Sequence, residues 1–155
     1  MSEPRPVARR HSRRLALQVL YAADLAFQAS GEGAVMDPDA TFEDVATHFD
    51  LPLGARDFAK QLVAGVSGSR EAIDVCVAEH ARNWRVERMA TVDRNVLRLA
   101  VYELMQGETP HNVIINEAIE LARDFGSDRS PAFVNGVLDA VARDLCDAIP
   151  PTEGA

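Results

Sequence analysis

Apolar residues recur every three or four positions along almost the whole of this chain, and no run of useful length alternates with a period of two. That regularity argues against a sheet and predicts helices packed on helices. The spacing predicts a long first helix over about residues 9 to 29, with Leu15, Val19, Ala22, Ala23 and Ala26 clustered on one side. Ser30 to Asp39 (SGEGAVMDPD) reads as a loop because glycine, proline and acids crowd it. A short helix near Phe42 to Phe49 follows, stopped around Leu51-Pro52, and Phe58, Leu62, Val63 and Val66 mark another, weakened at its end by Gly65 and Gly68.

Ile73, Cys76, Val77, His80 and Trp84 give a further helical stripe, which places Trp84 in the core. Thr91 is the expected N-cap of a helix carrying Val92, Val96, Leu99 and Ala100, with Asp93 in its first turn. Thr109-Pro110 and Ser130-Pro131 each set a capping hydroxyl before a first-turn proline. The first of these helices closes at Gly126 and the second before Pro150-Pro151. Helical spacing continues through Asn135-Gly136, so the glycine is expected to permit a close helix contact rather than form a turn. The expected fold class is therefore all-α, with about seven helices. Its expected organisation is a flexible basic arm over residues 1–8, one helical domain over 9–149, and a disordered tail over 150–155.

Charge is the second constraint. The chain of 155 residues has 16 Lys+Arg against 24 Asp+Glu, a formal net charge of -8. Residues 1–14 hold five arginines and one acid, Glu3, and so carry +4, whereas the remaining 11 bases and 23 acids leave -12. On a helix stepping about 100° per residue, Arg9, Arg10, Arg13 and Arg14 fall within an arc of roughly 140° opposite the apolar side, as one exposed stripe. Guanidinium groups stay charged and offer paired donors to phosphate. Contact with a nucleic acid, a solvated arm, and contact with a membrane or an acidic protein all remain open at this level. A second basic segment, Arg82 to Arg88 with Arg94 and Arg98 beyond it, is a weaker candidate.

Other chemistry finds little support. His11, His48, His80 and His111 are dispersed, and no phosphate loop or dinucleotide fingerprint is present. No cofactor, metal site or catalytic residue is expected. Cys76 and Cys146 stand 70 positions apart among apolar neighbours and read as small core residues in a reducing compartment. No apolar stretch approaches the ~18 residues needed to span a bilayer, so the expected location is the cytoplasm.

Four blocks carry a resemblance: Arg9 to Tyr21 (RRHSRRLALQVLY), Val92 to Leu104 (VDRNVLRLAVYEL), Val113 to Phe125 (VIINEAIELARDF) and Ser130 to Asp139 (SPAFVNGVLD). In this order and spacing they resemble the NusB family of bacterial transcription antitermination factors, nearly end to end. The resemblance implies two small helical bundles sharing a long first helix. It also implies a non-enzymatic function: with NusE, a small-subunit ribosomal protein, such a factor binds the boxA element of nascent RNA and supports processive transcription of ribosomal RNA operons. Other Nus factors and RNA polymerase are then indirect partners. RNA contacts map onto Arg9, Arg10 and Arg13, with Arg14 adding charge to the same stripe, and onto Phe133 of the F-V-N-G motif. Arg129 stands where many relatives carry an acid, next to Phe133, and joins that surface. NusE contacts map onto Tyr21, with Leu17 on the same sector of the helix, and onto Asp93. Tyr21 reads equally well as a core residue. Two other classes stay open: the targeting module of a ribosomal RNA methyltransferase, and a helical interaction protein that forms a homodimer.

Overall fold

The computed structural model describes residues 6–30, 38–52 and 54–148. Within them lie seven α-helices: α1 (Pro6–Ser30), α2 (Pro38–Ala46), α3 (Ala55–Gly68), α4 (Arg70–His80), α5 (Thr91–Gln106), α6 (His111–Phe125) and α7 (Ser130–Ala148). One 3-10 turn (Val86–Arg88) separates α4 from α5. Strands do not occur among the described residues. Helix α1 starts at Pro6, so Pro6 to Ala8 of the expected arm are helical. The rest of that arm, most of the expected loop at 30–39 and the expected tail lie outside the described residues, as does the side chain of Cys146.

Helix α1 packs against α2 and α3 on one side and α5 on another, which joins two helical groups. Helix α5 is the axis of the second group, touching α1, α3, α4, α6 and α7. Its residues from Arg94 to Val101 are all buried, unlike the one-sided burial expected of a surface helix. A single apolar cluster runs through both groups, from Leu15 and Val19 through Leu62, Ile73, Leu97 and Leu99 to Ile114, Leu138 and Val141.

The helix starts differ in detail from their local signals. Ala90, not Thr91, is the cap of α5, accepting the Arg94 N–H at 2.9 Å. Pro110 itself precedes α6 with an extended backbone (ψ 141°), and its carbonyl accepts the N–H groups of Val113 and Ile114. Ser130 begins α7, but its hydroxyl turns back to accept the Ser127 N–H at 2.9 Å. At the other end of α5, Gly107 takes the left-handed conformation (φ 71°) and donates its N–H to Glu103, a stop that L side chains disfavour. Gly136 was the glycine expected at a close helix contact. An added Cβ would meet nothing there within 4 Å, whereas one on Gly65 would lie 2.0 Å from Tyr102 Cζ. The close approach is therefore between α3 and α5.

Candidate nucleic-acid interface

The start of α1 divides its arginines between two environments. Arg10 is exposed and forms a fork with Glu117 of α6, Nε donating to Oε2 at 3.2 Å and NH2 to Oε1 at 3.3 Å. That carboxylate raises the Arg10 guanidinium above its ordinary pKa, chiefly by hydrogen bonding and then by its charge. Arg14 pairs with Asp124 at 2.6 Å and lies over the Phe125 ring, 4.9 Å from its centroid. Arg9 sits over the Phe58 ring at 4.2 Å. These three remain at the surface or half-buried.

Arg13 does not belong to an exposed stripe. It is only 4% exposed and locked to Glu103 of α5 by two hydrogen bonds of 2.8 Å. Packing against α3 and α5 takes that side of α1 out of solvent, so the angular arc that grouped the four arginines overstated their common exposure. Leu17 is corrected in the same way: at 2% exposure it is a core residue and offers no surface to a partner. Tyr21 is 36% exposed and lines a groove of about 400 Å³ with Gln18, Ala22, Asp44, Val45, His48 and Phe49.

Trp84 departs furthest from its expected place. Helix α4 ends at His80, where Ala81 breaks the helical dihedrals (φ -108°, ψ 65°), and residues 82–83 form a turn. Trp84 therefore leaves the apolar stripe and stands 58% exposed. Its ring meets Phe133 edge-to-face, with centroids 5.6 Å apart and planes at 66°. Together they wall a pocket of about 220 Å³ completed by Met89, Ala90, Asp93, Ser127 and Arg129. Arg129 is exposed and Phe133 half-buried. Asp93 lies in this pocket, while Tyr21 lines the separate groove. One carboxylate oxygen of Asp93, Oδ1, is buried and has no hydrogen-bond partner among the described residues.

The second basic segment is partly structural. Arg94 and Arg98 are buried around Asp24 of α1, at 2.7 Å and 3.3 Å, and Arg98 also forks onto Asp74 of α4 at 2.8 and 3.0 Å. Asn95 donates to the same Asp24 oxygen at 2.9 Å. The sequence carries a trace of this network: charges recur four apart, at 94 and 98, on a helix otherwise rich in apolar residues. What it does not carry is the partner seventy positions away.

Cys76 is half-buried beside His80, whose Nδ1 bonds the Cys76 carbonyl and whose Nε2 bonds Asp144 of α7. Burial pushes the Cys76 thiol up, and nearby Glu79 and Asp144 add to the shift. Among the described residues no group of three or more His, Cys, Asp or Glu is placed to hold a metal ion, and no helix is long and apolar enough to cross a membrane.

A family model described as the NusB family matches residues 10–143. The transcription antitermination protein NusB of Geotalea uraniireducens is 44% identical over 149 residues, covering 90% of this chain and 97% of that protein. Among solved structures, NusB of T. maritima superposes with a TM-score of 0.76 at 31% identity, over 93% of this chain and 94% of that one. A chain from the crystal structure of antitermination factors NusB and NusE in complex with dsRNA gives a TM-score of 0.76 at 27% identity, over 90% and 99% of the two chains. By fold, by motif and by sequence along most of its length, this chain belongs to the NusB family of transcription antitermination proteins.

Proposed function

We propose that the chain acts in the cytoplasm as a non-enzymatic antitermination factor that, paired with NusE, binds the boxA element of nascent ribosomal RNA transcripts. The observation that carries this reading is the set of guanidinium groups still accessible at the start of α1, namely Arg9, Arg10 and Arg14, on a chain of net charge -8. Arg14 rests on Phe125, the last residue of α6, and the turn that follows leads to Arg129 and Phe133. A phosphate backbone laid along α1 and the end of α6 meets cations first and an aromatic surface after them. Phosphate contacts fix register, so the aromatic end is where bases are read. The solved NusB–NusE–dsRNA complex supports both partners. Tyr21 and its groove, walled by α2, supply a separate surface for NusE.

The test is binding of a boxA RNA across a salt series, with and without NusE. Replacing Arg10 by Ala lowers the salt slope by about 0.7, the value for one phosphate contact on a single strand. Binding indifferent both to salt and to Arg10 overturns the proposal.

A further inference from the structure

We propose that the corner between Trp84 and Phe133 is a subsite for one unpaired nucleobase, stacked on the Trp84 indole, with Asp93 accepting a hydrogen bond from the base and Arg129 facing the adjoining phosphate. This rests on the RNA-binding reading above and adds to it a residue, Trp84, that the family motifs do not mark.

Three independent features converge on one pocket. The first is cost: a tryptophan 58% exposed leaves a large apolar ring in water, although the adjacent core could have absorbed it had α4 continued one more turn. The ring is also held in place, because the Trp84 N–H is bonded to the Ala81 carbonyl at 2.9 Å and its edge-to-face partner Phe133 is anchored against the core. A fixed, open aromatic surface suits a base, since every base has a π-face.

The second feature is Asp93. Its buried Oδ1 has no partner among the described residues, and an unsatisfied buried acceptor is costly. The oxygen lies in the wall of the same pocket. Every nucleobase carries an N–H donor on its Watson–Crick edge, and a base stacked on Trp84 turns that edge toward the pocket wall. An apolar side chain from a protein would leave the oxygen unsatisfied.

The third feature is charge order. Arg129 is exposed on the pocket lining, opposite in sign to Asp93. A nucleotide has the matching order, with donors on the base and an anion on the phosphate. A lysine or arginine from a protein could reach Asp93 but would be repelled by Arg129. The pocket, about 220 Å³, is a single-base subsite rather than a groove for a strand.

The chain contains one tryptophan, so its emission reports on this corner alone. The experiment titrates the full chain with boxA RNA while following that emission, then repeats the titration with RNAs carrying one abasic site at each position in turn. Intact RNA quenches Trp84. One abasic position restores the emission and weakens binding on the order of tenfold, as loss of one stacked base does. In the Trp84→Leu protein that same abasic position costs nothing further. Asp93→Leu flattens the preference among the four bases there and leaves the salt slope unchanged.

If RNA binds with its arginine-dependent salt slope but Trp84 emission does not respond, and each abasic site costs the same in Trp84→Leu as in the wild type, the subsite falls while the RNA reading stands. If no RNA binds under any condition, both fall. If NusE alone shields Trp84 and RNA adds nothing, the corner docks protein and the proposal is overturned.

Discussion

Arg13 and Glu103 meet across the α1–α5 interface as a two-pronged pair, both hydrogen bonds 2.8 Å long and both side chains at most 7% exposed. Three residues earlier, Arg10 makes the same kind of fork with Glu117 while 60% exposed. The two pairs use the same chemistry at different depths, and depth decides what each contributes. Breaking a buried pair leaves one charge uncompensated and costs about 3–5 kcal/mol, whereas an exposed pair contributes about 0–1 kcal/mol. Arg13→Ala therefore destabilises the fold by several kcal/mol in urea unfolding. Arg10→Ala changes stability by less than about 1 kcal/mol and is the variant suited to RNA measurements. Equal effects of the two on stability would show that the burial of Arg13 is not maintained in solution.

Asp24 is the second buried anchor. Burial alone would raise its carboxyl pKa, but hydrogen bonds from Asn95, Arg94 and Gln28 outweigh it and hold the folded value below the ordinary 3.8. A depressed carboxylate contributes stability that is fully present above its unfolded pKa and is lost as pH falls through the folded one. The stability gap between wild type and Asp24→Asn is accordingly constant at neutral pH. It narrows as the pH is lowered below about 4 and closes once Asp24 is protonated in both states. Chemical unfolding of the two proteins over an acid pH series measures it.

His80 runs in the opposite sense. Burial works against its protonated ring, but the bonds to the Cys76 carbonyl and to Asp144 outweigh that, with Glu79 adding, so its pKa lies above 6.5. A raised histidine contributes stability present below the unfolded value and lost as pH rises through the folded one. Asp144→Asn thus destabilises most in mildly acidic buffer, and its effect shrinks toward alkaline pH. A difference that stayed flat across neutrality would remove the charged pair between α4 and α7.

Local rules located the helices well because their causes are local. Apolar phasing, prolines and the Gly107 and Gly126 stops all act within a turn or two. They failed wherever the deciding contact lay far along the chain. Arg10 and Arg13 sit on neighbouring sectors of one helix, and only Glu103, ninety positions away, separates the buried one from the exposed one. Leu17 shares the sector of Tyr21, yet the packing of α1 covers one and leaves the other half open. Trp84 continues a helical stripe that the chain itself abandons at Ala81, and nothing stronger than Asn83 marks the break. Of the candidate site, the residue types were legible; which of them reach solvent was a property of the assembled fold.

The glycines make that distinction measurable. Gly65 and Gly136 both lie inside helices, where glycine costs about 0.5–1 kcal/mol relative to alanine. At Gly136 an added methyl meets nothing within 4 Å, so Gly136→Ala stabilises the protein by about that amount. At Gly65 the methyl would overlap the ring of Tyr102, at 2.0 Å from Cζ and 2.5 Å from Cε1. Overpacking of this kind costs about 1–3 kcal/mol, so Gly65→Ala destabilises despite its better helix propensity. Because the ring itself is in the way, Tyr102→Phe does not relieve the clash and Tyr102→Ala does. In a double-mutant cycle Gly65→Ala should be markedly less costly in the Tyr102→Ala background than in the wild type. Equal costs in the two backgrounds would mean that α3 and α5 do not approach each other at Gly65.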